Sequence, residues 1–177
     1  MAGVIFVTGT LLGLEQMGIF FLLEGRVSSS IVTYLAVTLA WLCGTLVGLR
    51  WPAGGRLDPG RPLVAGLVGY YAILILVTVT PYDLRWLAAY GPLTAMVGYF
   101  AGYFFRALVR RTDDPQRLFL FENNGFIVGL IATAIGVMVF GVRFALLAPA
   151  LVGGLLVIWG WPPSIAAPVR SSAPPPP

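Results

Sequence analysis

The chain has 177 residues, of which 58% are hydrophobic and only 10% charged, with a mean hydropathy of +0.89. That leaves too little polar surface to cover a water-soluble globule, so lipid must cover most of the molecule. The formal charge is +4, all 11 basic residues are Arg, and there is no His or Lys and a single Cys; this excludes the usual haem and zinc ligand sets, His-based acyl-transfer triads and Schiff-base chemistry.

A membrane-spanning helix needs about 20 apolar residues, and six such stretches are predicted, at 3–23, 31–49, 63–81, 86–109, 118–140 and 144–161. The expected fold is all-α, a polytopic helical bundle with residues 1–162 as one six-helix transmembrane domain and 163–177 as a Pro-rich, disordered cytoplasmic tail.

The first stretch lacks a basic leader and a small-residue cleavage site, so it is expected to stay in the mature protein. It carries Gly9 and Gly13 one turn apart, then Glu15 and Gln16. Glu15 lies about 18 Å along the helix axis, close to mid-bilayer. A carboxyl at that depth is expected in its protonated form, hydrogen-bonded to Gln, Asn or Thr of a neighbouring helix, unless an Arg or a bound cation approaches. The second stretch holds Cys43, read as an apolar packing residue, and the pair Gly44 and Gly48.

The fourth stretch contains Pro92 and the pair Gly98 and Gly102. Asp114 followed by Pro115 is an N-cap with Pro at the first helical position, so a helix is predicted to begin there. It leads into Glu122, Asn123, Asn124 and the pair Gly125 and Gly129, a polar cluster that needs either an interhelical hydrogen-bond network or a cavity. Pro92 and Pro149 are expected to allow kinks in the fourth and sixth stretches.

Arginine counts set the orientation. Arg50, Arg56, Arg61, Arg106, Arg110, Arg111, Arg117 and Arg170 fall on one side, and Arg26, Arg85 and Arg143 on the other. Both termini are therefore expected to be cytoplasmic, in a bacterial plasma (inner) membrane. A C-terminal reporter should be active on the inner side only, and activity confined to the outer side would reverse the topology. The positive charge fits anionic lipid headgroups better than nucleic acid.

Four glycine pairs with G-x-x-x-G spacing let helix backbones approach closely where apolar burial no longer drives association. They serve packing within the chain or a face for a second copy or another membrane protein. Spans one and five share a Glu and a glycine pair, and spans two and four a glycine pair before an Arg; shared helix grammar is the expected reason, ahead of a duplicated unit.

The runs FVTGTLLGLEQMGIFFLLEGRVSSS, GTLVGLR and FENNGFIVGLIATAIG resemble the membrane region of multi-pass spermidine synthase-like proteins, itself similar to half of a major-facilitator-type transporter. Glu15 matches that pattern's Glu in the first helix, Gly44, Leu46, Gly48 and Arg50 its close of the second, and Asn123, Asn124 and Gly125 its opening of the fifth. The aminopropyl-transfer domain has no counterpart here, so the resemblance implies the membrane portion without the enzyme. Two functions follow as expectations. One is a transport path for a cation, proton or polyamine, lined by Glu15, Gln16, Glu122, Asn123 and Asn124, needing no cofactor or metal and formed by a homo-oligomer. The other is a non-catalytic subunit docking onto a larger membrane complex through its glycine faces.

Overall fold

The computed structural model describes residues 2–50, 59–109 and 114–159. They form six helices: α1 (Ala2–Arg26), α2 (Ile31–Arg50), α3 (Gly60–Val79), α4 (Leu87–Val109), α5 (Pro115–Phe140) and α6 (Val142–Trp159), with a short 3-10 turn, Leu84–Trp86, before α4. Arg56, Arg110, Arg111, Arg170, Trp51, Trp161 and the tail 163–177 lie outside the described residues.

Helices α1, α2, α3, α5 and α6 are each long and apolar enough to cross a membrane. Helix α4 departs from the expectation that all six are. Three tyrosines, three glycines, Pro92 and Arg106 dilute its apolar content over 23 residues. Its main contacts are with α2 and α3, so neighbouring helices take over much of the covering that lipid supplies elsewhere. The outward stripes of α2 and α5 are large and apolar, for example Leu35, Leu39, Leu42 and Leu46 on α2 and Ile127, Ile131 and Ile135 on α5. Cys43 is also exposed there and is not a core residue.

Local chemistry sets the helix ends. Asp114 accepts the Arg117 backbone N–H at 3.0 Å, with Pro115 opening α5. Gly141 closes α5 at φ +63°, a left-handed conformation that favours glycine, and the chain reverses at once into α6. In the α3–α4 turn the Tyr82 N–H donates to the Arg26 carbonyl at 2.6 Å, fastening the turn to the end of α1. Asp83 pairs with Arg85 at 2.9 Å. The Arg85 guanidinium and backbone N–H hold that carboxyl below its ordinary range, so the pair persists until pH falls through this lowered value.

The glycine pairs organise the bundle. A Cβ on Gly9 would strike the Glu122 carbonyl and one on Gly13 the Phe126 carbonyl; reciprocally, Gly125 faces the Phe6 carbonyl and Gly129 that of Thr10. Residue numbers rise together, so α1 and α5 run parallel. Helices α2 and α4 repeat the arrangement, with Gly44 against Ala95, Gly48 against Tyr99, Gly98 against Trp41 and Gly102 against Thr45. The approach lets the Thr45 hydroxyl donate to its own helix at Trp41 (3.0 Å) or across to the Gly98 carbonyl (3.2 Å). All four glycine faces are thus closed inside the chain.

The likeness of spans one and five, and of two and four, is therefore a likeness of contacting partners. Exchanging α1–α3 with α4–α6 carries the α1/α5 contact onto α4/α2 and the α3/α4 contact onto α6/α1. The exchange does not carry over the α5/α6 and α1/α3 contacts, which have no equal between α2 and α3 or between α4 and α6.

Candidate functional site

Glu15 stands in the middle of α1, 0% exposed. It lies on an inward stripe with Thr8, Leu11, Leu12, Ile19 and Leu22, all buried. Neither carboxyl oxygen has a hydrogen-bond partner among the described residues. The expected bond to a Gln, Asn or Thr of a neighbouring helix is not made. Gln16, the next residue, is turned about 100° around the helix and is only half-buried.

Two further elements bring hydroxyl groups into the bundle interior. On α3, Tyr70 and Tyr71 lie within electrostatic reach of Glu15. The Tyr70 hydroxyl rests against Gly18, 2.5 Å from where a Cβ would stand, so a side chain there would push the Tyr70 hydroxyl from its place one turn beyond Glu15. On α4, Gly98 and Gly102 turn toward α2 and Val97 and Phe100 toward α3. Tyr90 and Thr94 fall between those directions, facing the bundle interior. Both are buried, and both hydroxyl oxygens lack a partner among the described residues.

Tyr70 does have a partner, and Pro149 explains which. Proline has no N–H, so in α6 it leaves the Ala145 carbonyl, four residues earlier, without its helical donor. The Tyr70 hydroxyl donates to that carbonyl at 2.8 Å, and the Tyr71 hydroxyl donates to Leu146 at 2.7 Å. The break in α6 is thus sealed from α3.

The second polar cluster is elsewhere. Helix α5 runs unbroken through Glu122, Asn123, Asn124 and Gly125. The Glu122 carbonyl abuts Gly9, which places it six residues, or about 9 Å along the axis, from the level of Glu15. Glu122 and Asn123 are half-buried, and Asn124 is exposed on the same outward stripe as Leu120 and Ile131. Glu15 and the backbone of Glu122 thus stand at different levels of the bundle. A cavity of about 300 Å³ does open between the end of α1 and the start of α2, lined by Phe20, Glu24, Ser28 and Tyr34 among others, without reaching Glu15.

Fold and site together define a multi-pass integral membrane protein with, midway along α1, a buried acid that has no hydrogen-bond partner among the described residues. No family model matches the chain, and no curated protein or solved structure matches it. Sequence reasoning identified Glu15 and missed Tyr70, Tyr90 and Thr94. The i, i+4 spacing of Tyr90 and Thr94 within an apolar helix was a usable signal. The link between Tyr70 and Pro149 was not, because nothing local to α3 announces an orphaned carbonyl 75 residues away.

Proposed function

We propose that this chain is a small, non-enzymatic transporter-like bundle of the plasma membrane that moves a proton or small cation, with Glu15 as the ion-handling group and assembly as a homo-oligomer. One observation carries the reading: a carboxyl with no exposure and no partner for either oxygen. Burying such a polar group costs about 2–7 kcal/mol, a penalty that packing alone gives no reason to retain. The test is flux in reconstituted vesicles. Wild type should pass protons or a small cation, and Glu15→Gln, which keeps the shape and removes the titratable proton, should fall to the level of empty liposomes. Equal flux from wild type, Glu15→Gln and empty vesicles would sink the proposal.

A second reading, a non-catalytic subunit of a larger membrane complex, is favoured by Asn124, whose amide is exposed on an apolar stripe. Such a partner would have to use that stripe, since the glycine faces are occupied within the chain.

A further inference from the structure

The nature of the ion follows from the donors around Glu15, and this inference rests on the transport reading above. A metal cation needs several oxygen ligands, and among the described residues no group of three or more His, Cys, Asp or Glu gathers anywhere. An organic cation needs room and more than one anionic or aromatic contact, whereas Glu15 has no exposed surface and is flanked along its stripe by Leu11, Leu12 and Ile19. A proton needs neither ligands nor volume.

The groups facing Glu15 from each neighbouring helix are few. Helix α3 offers Tyr70 and Tyr71, and α4 carries two buried hydroxyls without a partner among the described residues, those of Tyr90 and Thr94. On α5 the only carboxylate is Glu122, about 9 Å away along the axis. The described arginines all lie at helix ends or in the α3–α4 turn: Arg26, Arg50 and Arg106 in the last turns of α1, α2 and α4, Arg61, Arg117 and Arg143 in the first turns of α3, α5 and α6, and Arg85 before α4. Glu15 stands mid-helix, so among the described residues a deprotonated Glu15 would draw on hydroxyl donors. Tyr70 is the donor already seated one turn away against Gly18, and its hydrogen is committed to the carbonyl that Pro149 leaves open.

We propose that the ion handled at Glu15 is a proton, and that Tyr70 responds to its loss by turning its hydroxyl from the Ala145 carbonyl of α6 to the Glu15 carboxylate. Glu15 has no exposed surface in the closed bundle, so the step belongs to a conformer that admits water to the carboxyl: there the carboxyl O–H bond breaks and its proton passes to that water, giving hydronium. The Tyr70 O–H bond stays intact and only its acceptor changes. A carboxylate is the stronger acceptor, so the exchange is favourable once the proton has gone. Ala145 is then without a donor, the seal between α3 and α6 is reduced to the Tyr71 bond to Leu146, and α6 is held less firmly at its proline. Protonation of Glu15 restores the seal.

The test compares the full-length wild type, Pro149→Ala, and Tyr70→Phe in the Pro149→Ala background, all in vesicles. Pro149→Ala returns an N–H to Ala145, so the loss of the Tyr70 hydroxyl no longer leaves that carbonyl unpaired and the double variant should fold. Two signals are followed against pH: the infrared band of a protonated carboxyl, assigned by its absence in Glu15→Gln, and proton flux under sodium, potassium or alkylammonium gradients. Flux should follow the proton gradient alone. Removing the hydroxyl should let the Glu15 band persist to pH values about one to two units higher than in Pro149→Ala, as expected for loss of one hydrogen bond to a charged acceptor. Superimposable band profiles for Pro149→Ala and the double variant would overturn the role of Tyr70, and Glu15-dependent flux driven by sodium or an amine would overturn the proton. A band that titrates and shifts as described, without flux from any variant, would support this inference and refute transport.

Discussion

Replacing Glu15 with Met should make the protein more stable and abolish any proton-dependent behaviour. Met is unbranched and adaptable, similar in length to Glu, and carries no strong polar atom. The site it would enter is flanked by Leu11, Leu12 and Ile19, and no partner on a neighbouring helix would lose a hydrogen bond, because Glu15 has none to break. Removing a buried polar group that lacks a partner should therefore raise the unfolding free energy by about 2 kcal/mol. Unfolding of the detergent-solubilised protein by titrated denaturing detergent measures this directly. A destabilisation of similar size would mean that the carboxyl is paired after all, and would turn Glu15 into a structural residue.

Leu at both Gly98 and Gly102 should have the largest effect in the opposite direction. The atoms waiting at those positions are backbone atoms of Trp41 and Thr45, which cannot move aside as a side-chain tip can. Forcing the helices apart should cost about 1–3 kcal/mol per site and break the Thr45 bond to the Gly98 carbonyl. Gly154→Leu is the control, because nothing lies within 4 Å of its Cβ position. The double variant should lose thermal stability or fail to fold, while Gly154→Leu behaves as wild type. Unchanged stability with a smaller oligomer would show instead that this face joins separate chains.

The Gly98 and Gly102 case also shows where sequence reading runs out. Spacing alone marked four faces as close-packing surfaces, because a G-x-x-x-G pair aligns two missing side chains on one side of a helix whatever the partner is. Which face meets which is not encoded locally. Gly9 and Gly13 meet Gly125 and Gly129 across more than a hundred residues, and any of the other glycine faces, or a second chain, satisfies the same local rule.

The sequence by itself determined the apolar, membrane-type character, the helical class, the approximate bounds of the six helices and the place of Glu15 midway along α1, since each depends only on composition, on helix rise per residue and on the need to satisfy backbone groups within one segment. It also placed the α5 cap at Asp114, a contact between residues three apart. Only the tertiary structure decided that Glu15 has no hydrogen-bond partner among the described residues and that the Glu122 backbone lies about 9 Å along the axis from its level. Only the tertiary structure showed that Tyr70 fills the gap Pro149 leaves in α6. Those are properties of the angles and registers at which six nearly all-apolar helices meet, and in lipid these are set by packing of small residues between distant segments, which periodicity along one helix does not carry.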